Sequence, residues 1–278
     1  MNITAADVNT LRKRTGAGMM DCKKALEEAN GDFEKAIDIL REKGQKVAAN
    51  RSDRQAKEGS VLAKISADGK KGTLTLLNCE TDFVARNEEF IKVAEKIANI
   101  ALNGDYKTLD ELKAADYGED GLTVDKKITD FIGKTGEKMA LAAYEVLHGE
   151  KVFAYNHPGN RLASIVSFSK ANANNLNEVG REIAMQIAAM APIAIDKGDV
   201  TQDTLDREIS IAKEQARQEG KPEAMLEKIA LGKLNKFYKE STLLNQDYIK
   251  DSKKTILQFI QDNDKELKVT GFKRIVIG

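Results

Sequence analysis

Thr81-Asp82-Phe83-Val84-Ala85-Arg86-Asn87 is the stretch from which the rest of the chain is read; it lies between Asn78-Cys79-Glu80 and Glu88-Glu89-Phe90. Alternating apolar residues lead into it from Thr73 to Leu77, the spacing of a strand. Beyond it Phe90, Val93, Ala94, Ile97, Ala98 and Ala101 recur at the offsets that put side chains on one buried face of a helix. Asn87 is placed to cap that helix, because its side-chain oxygen can accept from the free amides of the first turn. A strand end and a helix start thus hold a short segment carrying Asp-Phe. Two readings of Phe83 stay open: a ring tucked into the core with Asp82 as a turn residue, or a rigidly mounted probe that enters a partner. Periodicity does not choose between them.

Upstream, residues 4–44 read as three short helices. Thr4 with Asp7 resembles a capping box ahead of Val8 and Leu11. Gly16 and Gly18 break the first helix. Met19, Cys22, Ala25, Leu26 and Ala29 give the second its apolar face. Asn30-Gly31 ends it, Asp32 caps a third with Phe33, Ala36, Ile37 and Leu40 inward, and Gly44 is expected to stop that one. Such a unit has a small core and suits interaction more than catalysis. Residues 45–58 are charged and Ala-rich, and read as a helical linker. From Gly59 the period becomes two: Val61, Ala63 and Ile65, a turn at Asp68-Gly69, then Leu74 and Leu76 make a β-hairpin.

Downstream, Leu109 to Ala115 is expected to be helical. Asp125 to Leu147, interrupted by Gly133 and Gly136, is expected to form two helices or one with a break. The plan then starts over. Val152 and Ala154, the turn His157-Pro158-Gly159-Asn160 and Leu162 to Ser169 form a hairpin, followed by a polar run. A helix from Asn177 to Met190 has Ile183, Ile187 and Met190 inward. The echo of residues 59–103 reads as an internal repeat of two α+β subdomains. Residues 203–240, with Leu205, Ile209, Ala212 and Ala216 before Gly220-Lys221-Pro222 and Leu226, Ile229, Ala230, Leu234 and Phe237 after it, read as a projecting αα-hairpin. It either braces the fold or serves dimerisation or a second partner surface. A helix from Ser252 to Asp262 and a strand from Leu267 to Ile277, joining the second sheet, complete the chain. The class is α+β, divided as 1–55 (helical interaction domain and linker), 56–148 and 149–278 (two core subdomains with antiparallel sheets), the last including the inserted antiparallel hairpin at 203–240.

The 278 residues suggest about two domains. Charged residues make up 32% and balance to a formal net charge of zero, which argues against a strongly basic nucleic-acid binder. Trp is absent and aromatics are 5%, too few for a stacking platform. Cys22 and Cys79 fit neither a metal pair nor a CxxC motif and read as buried thiols in a reducing compartment. The start, Met1-Asn2-Ile3-Thr4, lacks the basic and apolar regions of a leader, and no apolar run has membrane-spanning length. A cytoplasmic protein without nucleic-acid or membrane partners is expected. His148 and His157 have no spacing that implies a metal or a triad. Gly16-Ala17-Gly18 lacks the preceding strand and third glycine of a dinucleotide site, and there is no P-loop. No cofactor and no enzyme acting on a small substrate of its own are expected.

Leu11-Arg12-Lys13-Arg14-Thr15-Gly16-Ala17-Gly18-Met19-Met20-Asp21-Cys22-Lys23-Lys24-Ala25-Leu26 closely resembles the opening signature of the bacterial elongation factor Ts family, and Thr81–Asn87 resembles its second signature. The resemblance covers nearly the whole chain. It implies a guanine nucleotide exchange factor for elongation factor Tu, with a ubiquitin-associated-like N-terminal domain, a two-part core and a helical hairpin. It further implies that Thr81, Asp82, Phe83 and Val84 disturb the Mg²⁺ region of the GTPase. Arg12, Met19 and Met20 would contact its nucleotide-binding domain, with Ile132 and Gly133 a further contact from the core. The turn ending His157-Pro158-Gly159-Asn160-Arg161 departs from the family's Gly-Gly-Arg form at Asn160, and no contact is carried over there. Nor is one carried over from the C-terminal helix that members often add, because the sequence ends at Gly278. The alternative is a ubiquitin-associated-like adaptor without exchange activity. Homodimerisation through the hairpin stays open.

Overall fold

The computed structural model describes residues 3–51, 53–119 and 121–278. Met1 and Asn2, on which the leader reading partly rests, and Ser52 of the expected linker lie outside the described residues.

Three helices open the chain: α1 (Ala5–Thr15), α2 (Met19–Glu28) and α3 (Phe33–Asn50). The capping box is present: the Asp7 amide donates to the Thr4 hydroxyl at 3.2 Å, and the Thr4 amide donates to the Asp7 carboxylate at 3.0 Å. Gly16 ends α1 in the left-handed conformation, φ 69°. Asp32 caps α3 as expected. Val8, Leu11, Cys22, Ala25, Leu26 and Ala36 form the small core of this unit. Gly44 does not stop α3, which runs on to Asn50, so the expected helical linker is helical only over its first residues. Gly44 is in the helix because another helix backbone passes against it, described below.

The hairpin follows as β1 (Glu58–Ile65) and β2 (Lys71–Cys79), antiparallel with Val61 opposite Leu76. Then come one helical turn, α4 (Asp82–Ala85), and the helices α5 (Glu88–Asn103), α6 (Leu109–Ala114) and α7 (Val124–Thr135). Gly136 closes α7 at φ 70°, and the chain then becomes a strand, β3 (Met139–His148), antiparallel to β2. The expectation of helix as far as Leu147 is therefore overturned. A β-bulge opposite Leu76 and Leu77 leaves Ala142 unpaired, so that Met139, Leu141 and Tyr144 all face the helices. That shift breaks the two-residue alternation and imitates a helical spacing in the sequence.

The second sheet has the order β4 (Lys151–Asn156), β5 (Leu162–Phe168) and, from the end of the chain, β8 (Val269–Val276). Between β5 and β8 lie α8 (Leu176–Met190), the helical pair α9 (Gln202–Gln218) and α10 (Leu226–Ser241), a small ribbon of β6 (Asp247–Tyr248) and β7 (Asp251–Thr255), and α11 (Ile256–Asn263). Residues 252–255, expected as helix, belong to β7; Thr255 caps α11 instead. Met190, expected inward, is exposed at the end of α8.

The two sheets stack face to face. Val61, Ala63, Leu74 and Leu76 meet Val152, Ala163, Ile165 and Ile275 between them. The outer face of the first sheet packs on α5, α6 and α7 around Phe90, Ile97 and Phe131, and that of the second on α8 and α11 around Phe168, Ile183 and Ile256. The free edge of β1 is covered from the second sheet: the Ala63 amide donates to the Asn156 side chain at 2.7 Å, and the Val61 amide donates to the Asn160 carbonyl at 2.7 Å. Asn160 stands at φ 54°, a conformation asparagine tolerates better than other side chains, so the departure from a glycine there preserves the turn.

Two glycines test this packing with opposite signs. Gly59 has φ 146°, and a Cβ there would lie 2.2 Å from the Leu77 carbonyl, so Gly59→Ala is expected to lose about 1–3 kcal/mol. Gly232, inside α10 and facing open space, should gain about 0.5–1 kcal/mol as alanine. Urea unfolding of the two variants checks both signs.

Candidate functional site

The turn that carries Phe83 is fixed from several sides. Thr81 caps α4, its hydroxyl accepting from the Val84 amide at 3.3 Å. Thr81 also donates its own amide and hydroxyl to the Glu137 carboxylate, at 3.2 and 2.8 Å. One residue earlier, the Glu80 carboxylate accepts from Arg51 at 3.2 Å, Arg54 at 3.1 Å and the Lys138 amide at 2.6 Å. The Cys79 thiol donates to the Thr81 carbonyl at 3.2 Å. Burial, and then the charges of Glu137 and Glu58, push that thiol up to about 12, so it stays protonated and keeps its donor. At the far end Asn87 accepts from the Glu89 amide at 2.8 Å, the expected cap of α5.

Within the turn, Val84 and Ala85 pack against the core and take the inward positions. Successive helical residues are separated by about 100° around the axis, and this rotation leaves Phe83 pointing outward, 84% exposed. The reading of Phe83 as a core ring is overturned. Asp82 beside it pairs with Arg86 at 3.2 Å, and both are exposed, so the bond is weak enough to be exchanged for another.

The other residues singled out in the sequence fall into two groups. Arg12 is exposed in the last turn of α1, and Met19 and Met20 are 53% and 61% exposed in the first turn of α2. Met19 is therefore not on the inward face expected for it; Cys22, Ala25 and Leu26 already fill that face. With Ile3 and Val8 the two methionines line a groove of about 250 Å³. Ile132, by contrast, is 5% exposed and packs into the first core, and Gly133 lies against Gly44.

The end of α7 joins these places. The Lys134 ammonium lies over Gly16, where a Cβ would meet it at 2.6 Å, and pairs with Glu89 at 3.6 Å. Glu137, just past the helix, holds Thr81. The methionine corner and the Phe83 turn thus flank one strut. Between α3, the α1–α2 turn and α7 a cleft of about 440 Å³ carries both signs of charge, with Arg14 paired to Glu34 and Lys43 to Asp21. The anchors Arg51, Arg54, Glu137 and Lys138 were not found by sequence reasoning. They lie far from Glu80 and Thr81 along the chain, and no local pattern marks them.

Among the described residues, no helix is long and apolar enough to cross a membrane. A sequence model of the family described as Elongation factor TS matches residues 80–278. The chain is 52% identical to the Elongation factor Ts of Flavobacterium psychrophilum over 276 residues, 99% of each chain. It is 50% identical to that of Amoebophilus asiaticus over 278 residues, 100% of both. With that of Cytophaga hutchinsonii it shares 52% over 273 residues, 98% of both.

The Glu80 anchor gives a pH-dependent expectation. The Lys138 amide first, then Arg54 and Arg51, hold its carboxyl below the usual range, and its side chain is only 15% exposed. A carboxyl lowered by folding stabilises the fold above its unfolded pKa and loses that contribution as pH falls through the folded value. Glu80→Gln should therefore be less stable than the parent by about 1.5–3 kcal/mol at neutral pH. The gap should close as pH falls below about 4. Urea midpoints measured across that range check it, and a gap independent of pH contradicts the anchor.

Proposed function

The chain belongs to the elongation factor Ts family, a family of translation elongation factors, and on that footing we propose that it is a guanine nucleotide exchange factor for elongation factor Tu. Residues 1–55 serve as the ubiquitin-associated-like interaction domain with its linker, 56–148 and 149–278 as the two core subdomains, and 203–240 as the inserted hairpin. Its work is cytoplasmic and is done on a GTPase partner, not on a small substrate of its own.

The observation that carries this reading is the exposed Phe83 ring on a turn anchored at Glu80, Thr81 and Asn87. An exchange factor weakens nucleotide binding, and by linkage it is itself bound less tightly when nucleotide is present, by the same factor. It must therefore bind best to the GTPase that has lost nucleotide or Mg²⁺. Mg²⁺ bridges phosphate oxygens and demands near-octahedral geometry, so a small displacement of its surroundings is costly. A stiff ring entering beside it supplies that displacement. Thr81 and Val84 hold the turn, Phe83 enters, and Asp82, released from Arg86, faces the ion's surroundings. Arg12, Met19 and Met20 add a second grip, the methionines through flexible apolar contact.

Magnitudes divide the labour. Burying a phenyl ring contributes about 1.5–3 kcal/mol, and a decade of affinity needs about 1.4 kcal/mol. Phe83 thus supplies one or two decades, and the remaining contacts supply the rest. Phe83→Ala should slow partner-stimulated release of a fluorescent GDP by about tenfold or more with the fold intact, measured by stopped flow. An unchanged rate rejects the wedge. A chain that binds elongation factor Tu with no effect on GDP release would instead be an adaptor working through the Met19–Met20 groove.

A further inference from the structure

Gly44 and Gly133 stand out because both lie inside helices with ordinary helical backbone, where glycine normally destabilises. Their surroundings explain them. A Cβ on Gly133 would lie 3.0 Å from the Cα of Gly44. A Cβ on Gly44 would lie 3.3 Å from the Thr129 carbonyl and 3.4 Å from the Cα of Gly133. The two helices therefore touch backbone to backbone, and the separation of helix axes is set by the side chains at the contact. Here there are none.

This crossing is where the N-terminal helical unit meets the core. α3 carries the small core of that unit at one end and lies along α7 at the other. α7 itself is fixed: Ile128, Phe131 and Ile132 are buried in the first core, and Glu119 accepts from Lys127 of α7 and Lys96 of α5, both at 2.7 Å. Just past α7, Glu137 holds the cap of the Phe83 turn. Charge pairs at the crossing are looser: Arg41 stands 3.9 Å from Asp130. Farther along α3, Val47 and Ala48 pack on the first core and Arg51 bonds Glu80 at 3.2 Å, so the glycine contact is the backbone-to-backbone point of a junction tied at its far end as well.

We propose that Gly44 and Gly133 are positioning residues: their contact sets the spacing between the Met19–Met20 corner and the Phe83 turn, so that one partner meets both at once. This rests on the exchange reading above, and it gives Gly133 a role inside the molecule beside the partner contact that the resemblance implies. A partner held at two rigidly spaced places gains from effective concentration. Moving the places apart weakens capture while leaving the wedge itself unaltered.

The test uses the full chain with Gly133→Val, the milder Gly133→Ala and Gly44→Ala, and Gly232→Ala as a control helix glycine in open space. Spin labels at Glu28→Cys and Glu95→Cys, both exposed, report the distance between unit and core. The parent and the control should give one narrow distribution, and the crossing variants should shift or broaden it, most for valine. In exchange assays the elongation factor Tu concentration for half-maximal GDP release should rise about tenfold for Gly133→Val; for Gly44→Ala, a position with no partner contact assigned, it should rise with the saturating rate changed less than about twofold. Should valine not fold, the two alanine variants carry both readouts with a smaller shift of the same sign. Unaltered distances in all crossing variants overturn the proposal, and so do altered distances with an unchanged half-maximal concentration. A parent that fails to stimulate release sinks the exchange reading and the positioning role with it, the crossing itself being judged by the distances alone.

Discussion

An aromatic ring held in water is useful only if the backbone beneath it resists collapse, and the Glu80 carboxylate supplies that resistance. It ties the end of β2 to the chain leaving α3, through Arg51 and Arg54, and to the start of β3, through the Lys138 amide. Three separated parts of the chain therefore converge on the residue immediately before the cap of α4. The next residue is held by Glu137, and Val84 and Ala85 are held by the core. Leaving a phenyl ring exposed forgoes about 1.5–3 kcal/mol of burial, and these anchors close the inward route by which the chain would recover it.

The same economy appears at the junction of the helical unit and the core. The contact is a backbone crossing at two glycines, with the Arg41–Asp130 pair at 3.9 Å beside it and the Glu80–Arg51 anchor at the end of α3. A close contact of this kind defines distance better than long side chains do, because no rotamers intervene. The proposed spacing of the Met19–Met20 corner and the Phe83 turn is then a property of the whole assembly of α3, α7 and the first sheet, not of any single segment.

Much of this was legible in the residues. The strand before Thr81 and the helix after Asn87 follow from period-two and helical spacing, and the Thr4, Asp32 and Asn87 caps from residue type at a helix start. The errors have physical causes. Gly44 read as a stop because glycine usually ends helices; the close helix backbone that requires it lies almost ninety residues away in the chain. Residues 139–147 read as helix because the bulge at Ala142 broke the alternation of β3. The direction of Phe83 was undecidable from pattern, since it depends on Val84 and Ala85 taking the inward side and on anchors distant in sequence. Ile132, a contact only by resemblance, packs with Ile128 and Phe131 in the free chain, as its helical spacing favours.

A wedge at position 83 requires that its ring leave water for the interior of another protein. Fluorine NMR of the full chain with 4-fluorophenylalanine at that position tests this directly. In the free protein the resonance should be broadened by a soluble paramagnetic agent. On addition of nucleotide-free elongation factor Tu it should shift and become protected, and Mg²⁺ with GDP should reverse both changes. A complex that forms while the ring stays as accessible as in the free chain would contradict the account.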